Sequence, residues 1–147
     1  MKRDSESSLE LILSATGAGI WDLQIQSQEV SINQRWAEMI GYSLEELIPL
    51  TYSSWADKIH PEDMAAVEEL IEKQGVGETE LYQAEFRMRH KLGNYVWILS
   101  SGKVVEWQAD GKPKRMLGTH VDISDRKVRE FEIVLTTQLL NQSQQIA

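Results

Sequence analysis

Residues 81–123, "LYQAEFRMRHKLGNYVWILSSGKVVEWQADGKPKRMLGTHVDI", decide the fold. Three strand-like runs, 81–90, 95–108 and 114–123, are separated by "KLGN" (91–94) and "ADGKP" (109–113). Both spacers are short and contain glycine, as hairpin turns require, so the segment predicts a three-strand antiparallel meander. Successive side chains of a strand alternate, so in the last run Met116, Gly118 and His120 share one face and Leu117, Thr119 and Val121 the other. Apolar side chains stand on both faces. Each face therefore needs cover.

The residues before the meander supply part of that cover. "HPEDMAAVEELIEKQGVG" (60–77) is the longest helix signal, with Pro61 suited to the first helical position and Glu62 and Asp63 set against the positive end of the helix dipole. Met64, Val67, Leu70 and Ile71 form an apolar stripe that must lie on something flat. Glycines 75 and 77 are read as its stop. Further upstream, "GIWDLQIQ" (19–26) and "EVSIN" (29–33) alternate at period two through Trp21, Leu23 and Ile25, then Val30 and Ile32, and read as a strand pair. In "QRWAEMIGYSLEELIP" (34–49), Trp36, Met39 and Ile40 share a helical face, and Ser43 with Glu46 predicts a capping box for a second short helix. "SSLELILSATGAG" (7–19) predicts a short flanking helix, with Ser7 or Ser8 as cap. Two strands, several short helices and three strands imply an α+β domain: one five-stranded antiparallel sheet with short helices on one face. The expected division is a flanking helix over 1–17, the domain over 18–124 and an exit helix over 125–147.

Composition removes several function classes. The 147 residues hold 15 Lys and Arg against 23 Asp and Glu, a formal charge of -8 that disfavours a nucleic-acid partner, whose phosphates need basic contacts. The chain has no cysteine, which removes disulfides, thiolate metal sites and cysteine nucleophiles. No stretch approaches the run of about 18 apolar residues that a spanning helix needs. The polar start "MKRDSESSLE" lacks the apolar run of a secretory signal. The expectation is a cytoplasmic domain without a membrane partner. His60, Glu62 and Asp63 could be read as metal ligands, but proline and two acids are what a helix start needs without any metal, so no metal is assigned. His60, His90 and His120 fall on different elements, and none is paired in sequence with an activated Ser or Thr. Catalysis is not expected.

In these segments the chain resembles a PAS domain carrying a PAC motif, from about Leu9 to Lys127. The resemblance rests on "GIWDLQ", "MIGYSLEEL", "WADKIHPEDMAAV", "EFRMRHKLGNYVWI" and "DGKPKRMLGTHVDISDRK", in family order and spacing. Two departures stand out. Lys91-Leu92-Gly93 replaces the family's Lys-Asp-Gly, leaving Asn94 to form the turn, and Asn33-Gln34 replaces its Asn-Pro. The resemblance implies a non-catalytic sensory module that binds a small ligand or dimerises, and that signals to an effector in the same chain, a histidine kinase or a diguanylate cyclase. A ligand-free interaction module is the alternative. The cofactor stays open. Haem relatives place an axial histidine in the long helix, which here has none beyond its cap, leaving His120 as the residual ligand. The cysteine-linked flavin and chromophore branches lack their cysteine.

Carried over by position, the inward face gives the ligand-pocket candidates Phe86, Met88, Ile98, Ser100, Met116 and His120. Trp21, Trp36, Met39, Val67 and Ile71 complete the wall, and His120 is the candidate for a ligand hydrogen bond. The opposite face, with Trp97, Leu99, Leu117 and Val121, reads as an interaction surface, because an exposed apolar patch usually marks one. Its expected cover is a second copy or the flanking helices, through Leu9, Ile12 and Leu13 before the domain and Val128, Phe131, Leu135 and Leu139 after it. Gln138 and Gln142 interrupt that second stripe and weaken any coiled coil. The resemblance makes "DISDR" (122–126) the signal exit, with Ser124 capping the helix and an Asp122–Arg126 ion pair bridging strand and helix. The tail "LTTQLLNQSQQIA" repeats the apolar spacing of "LELILSATGAGIW", as though another such domain began past Ala147.

Overall fold

The computed structural model describes Ser8 and residues 11–146. A helix over 11–16 (α1) leads into β1 (Gly19–Gln24) and β2 (Glu29–Ile32). Then come α2 (Gln34–Met39), α3 (Leu44–Leu47), β3 (Leu50–Thr51), α4 (Tyr52–Ala56) and α5 (Pro61–Gly75). The chain ends with β4 (Tyr82–Arg89), β5 (Tyr95–Trp107), β6 (Pro113–Asp122) and α6 (Ser124–Ile146). All pairings in the sheet are antiparallel, in the order β3-β2-β1-β6-β5-β4. The sheet therefore has six strands rather than the five expected. The additional strand, β3, has two residues, too few to show a period. Ser7 and Leu9, proposed as a cap and a covering residue, lie outside the described residues.

Local chemistry fixes the helix starts. Asn33 Oδ1 accepts from Trp36 N–H at 3.1 Å and from Ile20 N–H at 2.9 Å, so one side chain caps α2 and ties it to β1. A capping box joins Ser43 and Glu46 at α3, and Thr51 with Ser54 makes another at α4. Pro61 opens α5 at its first turn. The β4–β5 turn is formed by Gly93, whose φ of +97° lies in the left-handed region. Asn94, expected there, contributes only its carbonyl, which accepts from His90 N–H at 2.7 Å.

The core sits between the helices and one face of the sheet. Across that face run Ile32, Trp21, Gly118, Gly102 and Tyr82, each in register with the next. The two glycines make room for an indole: a Cβ on Gly118 would meet the Trp21 ring at 2.3 Å and the Ser101 carbonyl at 2.1 Å. Trp21 thus lies over the strands, and its Nε1 donates to the Thr119 carbonyl at 3.2 Å. Further along the same face Phe86, Met88 and Ile98 are buried, as is Trp36 on α2. Gln74, also buried, accepts from Val104 N–H and donates to the Thr79 carbonyl, clamping the end of α5 to β5. Among the described residues no helix is long and apolar enough to cross a membrane.

Candidate functional site

Every inward candidate except Ile71 is buried: Trp21, Trp36, Met39, Val67, Phe86, Met88, Ile98, Ser100, Met116 and His120. Ile71 is half-buried. Burial and access to a void are different matters. A cavity of about 40 Å³ lies between the helices and the sheet, and Trp21, Trp36, Ile71, Ser100 and Met116 line it. Met39, Val67, Phe86, Met88, Ile98 and His120 do not border it and belong to the packed core. Leu23, Val30, Tyr52, Trp55 and Tyr82 border it without having been singled out. Tyr82 opens β4 and Tyr52 opens α4, and strand parity says little at such element ends.

His120 is held by aromatic rings. Trp36 stacks on it at 5.2 Å and 25°, and Phe86 and Trp21 present edges at 5.7 and 6.5 Å. Burial pushes its pKa down to about 3, so the imidazole is neutral near pH 7. The cavity wall is almost wholly apolar. Among the described residues Trp36 Nε1 is buried with no hydrogen-bond partner, and the Tyr82 hydroxyl is sealed against Ser100. Burial raises the Tyr82 phenol above its ordinary value, and the Ser100 hydroxyl beside it acts in the opposite sense. At 40 Å³ the space takes a few waters, whereas a drug-sized ligand needs on the order of 300 Å³ or more.

The HPED segment serves the helix start. His60 Nδ1 accepts from Glu62 N–H at 3.1 Å, and Asp63 accepts from Arg87 N–H, Nε and an Nη at 2.8, 3.0 and 2.7 Å. These bonds hold the Asp63 carboxyl below its usual range. Among the described residues no cluster of His, Asp and Glu could hold a metal ion.

On the other face Trp97, Leu99 and Val121 are half-buried, and Leu117 is 37% exposed. Arg87 and Lys127 place their charges over the Trp97 indole, 5.3 and 4.6 Å from its centroid. The exit differs from expectation: Asp122 and Arg126 do not pair. Asp122 Oδ1 instead accepts from Ser124 N–H at 2.9 Å, so Asp122 satisfies the helix start that Ser124 was expected to cap. Ser124 Oγ is turned to β5 and accepts from Trp97 N–H at 3.3 Å. Arg126, one turn further on, reaches Glu85 on β4 and Glu130 on its own helix, and Lys127 reaches Glu85 at 2.9 Å. Glu85 and Trp97 are thus the anchors of α6, a role set by proximity across strands that no local sequence spacing reveals. Beyond Lys127 every α6 residue whose side chain is described is exposed, so α6 does not cover the sheet. In α1, Leu13 alone is half-buried and Ile12 is exposed.

A family model described as PAS fold matches residues 29–120. A solved sensory box histidine kinase/response regulator from Burkholderia thailandensis is similar at 28% identity and a TM-score of 0.81, over 91% of this chain and 98% of that one. The blue-light-activated histidine kinase of Brucella anthropi is 24% identical over 93% of this chain, and the probable diguanylate cyclase DgcE of Escherichia coli 28% identical over 86%. The chain spans 26% of the first of these two relatives and 11% of the second. With its antiparallel sheet, its helical cover and the family match over most of its length, the chain belongs to the PAS fold family.

Proposed function

We propose that this PAS domain is a cytoplasmic, non-catalytic sensory module that takes its input at the inner face of the sheet and delivers its output through α6. The effector lies in the same chain and is a histidine kinase or a diguanylate cyclase, the classes named among its relatives. The supporting observation is the asymmetry of α6. Its first turn is fastened to β4 and β5 by Glu85, Trp97 and Ser124, while beyond Lys127 every one of its side chains that is described is exposed. An isolated helix of that kind is marginal in water, so a second copy is its natural cover.

The fastening also touches the helix above the cavity. Asp63 on α5 grips Arg87, Arg87 and Lys127 meet over Trp97, and Lys127 reaches Glu85. A shift of α5 relative to the sheet would bias the direction of α6, a two-state element in the sense required for switching. Glu85→Gln tests this. The variant is expected to fold normally, to speed amide exchange over residues 124–128, and to change effector output in a chain that carries its effector. Unchanged exchange and unchanged output would remove the proposed exit.

A second reading has its own support. The interior is nearly filled by its own side chains, as a ligand-free interaction module would require. Native mass spectrometry of the purified protein separates the two, since a co-purifying small molecule favours sensing.

A further inference from the structure

The second half of α5 stands beside the end of the sheet, and an open groove of about 670 Å³ runs between them. Apolar side chains line it: Ile71 and Val76 from the helix and its cap, Ile25 just past β1, and Val104, Pro113 and Met116 from β5 and β6. Val76 is 72% exposed, and Ile25, Ile71 and Pro113 are half-buried, so this apolar surface meets water. Hydrogen bonds hold both sides in place. Ile25 N–H donates to the Lys114 carbonyl at 3.0 Å and Gln28 Nε2 to the Ile25 carbonyl at 2.8 Å. Across the groove, buried Gln74 accepts from Val104 N–H at 2.9 Å and donates to the Thr79 carbonyl at 3.0 Å. A groove formed in this way costs little ordering when it is occupied.

Its rim carries one sign. Glu69, Glu72 and Glu78 border it, and the one cation among the described lining residues, Lys73, is engaged by Glu69 at 3.3 Å. Glu72 and Glu78 are exposed and are left without a cation in that lining. The negative field reaches the groove wall: the Tyr52 phenol is raised above its ordinary value, by burial first and then by Glu68 and Glu72. Such a rim repels phosphates and anionic lipid heads and attracts ammonium and guanidinium groups. The apolar floor asks that those cations flank apolar side chains.

We propose that this groove docks a basic amphipathic segment of a partner protein. Its apolar side chains sit on Ile25, Val76 and Pro113, and its Lys or Arg side chains pair with Glu72 and Glu78. The apolar anchors supply affinity, and the exposed charges supply selectivity and on-rate. This rests on the interaction reading and gives it a surface and a partner. The test is calorimetric titration with synthetic peptides, with amide NMR shifts to locate the site. The first peptide sets leucine and lysine in amphipathic helical order; the second has glutamate at every lysine, and the third has serine at every leucine. The leucine–lysine peptide is expected to saturate, with shifts centred on residues 25–28, 69–78 and 113–116. The other peptides should bind at least about tenfold more weakly. Glu72→Lys with Glu78→Lys should weaken the leucine–lysine peptide at least about tenfold at an unchanged thermal midpoint. Glu45→Lys with Glu132→Lys, exposed carboxylates elsewhere that give the same net charge, should change it by less than about twofold. Equal binding of the serine–lysine peptide overturns the proposal, because diffuse negative charge would then suffice, and equal binding of the glutamate peptide overturns it too. So does an equal loss in the two double variants, or a shift map centred on α6 or on the outer sheet face. No saturable response to the leucine–lysine peptide removes the docking site. That result with a co-purifying small molecule in native mass spectrometry removes the interaction reading as well; with an empty interior it removes the groove alone.

Discussion

On the helix-covered face of the sheet, Phe86, Ser100, Met116 and His120 are sealed among aromatic rings. One residue along the same strands, Leu99, Leu117 and Val121 keep contact with water, between the ion pairs Asp22–Arg115 and Glu85–Arg126. Among the described residues the inner face is fixed by close fit and carries no ion pair, whereas the outer face is fixed at its margins by charge and is partly exposed at its apolar centre. The inner face behaves as a core that admits little change. The outer face keeps apolar side chains in contact with water.

The contrast is broken most severely at Gly118. Valine there would drive a Cβ into the Trp21 ring and the Ser101 carbonyl, at 2.3 and 2.1 Å, with no flexible group to yield. Gly118→Val should cost about 3 kcal/mol or more and be read as a collapse of the denaturation midpoint. Leu117→Ser, its neighbour on the other face, should cost about 1 kcal/mol or less. Similar losses at the two positions would mean that the faces are not distinct.

Acid probes the inner face next. His120 has its folded pKa depressed to about 3, so between its unfolded value and pH 3 the unfolded chain binds the additional proton. The stability it contributes is complete above the unfolded value and falls as pH drops from ~6.5, by about 1.4 kcal/mol per unit. His120→Gln should flatten that slope in chemical denaturation between pH 6.5 and 4.5. A slope unchanged by the substitution would mean that the imidazole is not sealed.

Asp63 probes the margin. Its carboxyl is held low by the Arg87 hydrogen bonds, so its contribution is present above the ordinary carboxylate value and is lost as pH falls through the lowered one. Asp63→Asn should cost about 1.5–3 kcal/mol, because it weakens three hydrogen bonds to one guanidinium and its backbone. The loss should vanish in strong acid, where wild type and variant converge. A variant as stable as wild type at pH 7 would remove α5 from the chain of contacts that reaches α6.

Much of this division could be read from the sequence, and where reading failed there was a physical cause. Period-two alternation assigned Met116 and His120 to one face and Leu117 and Val121 to the other, and both sets lie as that parity requires. Alternation cannot say which inward residues meet a void. That depends on volume across strands: Gly102 and Gly118 let Trp21 lie flat, and Tyr82 then reaches the cavity from the next strand. Charge pairing was less legible still. Asp122 and Arg126 are neighbours in sequence, yet the short bond to Ser124 N–H claims the first and Glu85, 41 residues away, claims the second.

The smallest expected effect on folding is also the one that tests the open face. Phe131 is 67% exposed on α6, and Val128 and Leu139 are more than half exposed, so Phe131→Ser removes almost no buried contact within one chain. Its effect on monomer stability should stay within about 0.5 kcal/mol. A second copy changes the outcome, because helices that cover each other make their stability depend on protein concentration. The wild-type midpoint should then rise with concentration, and Phe131→Ser should abolish the rise and sediment as a monomer. Leu117→Ser serves as the partner experiment. If it alone dissociates the protein, the sheet face holds the dimer and α6 is free to move; if Phe131→Ser alone does, the dimer is carried by the output helix itself. Gln138 and Gln142 interrupt the stripe, so any such helical pair is expected to be weak.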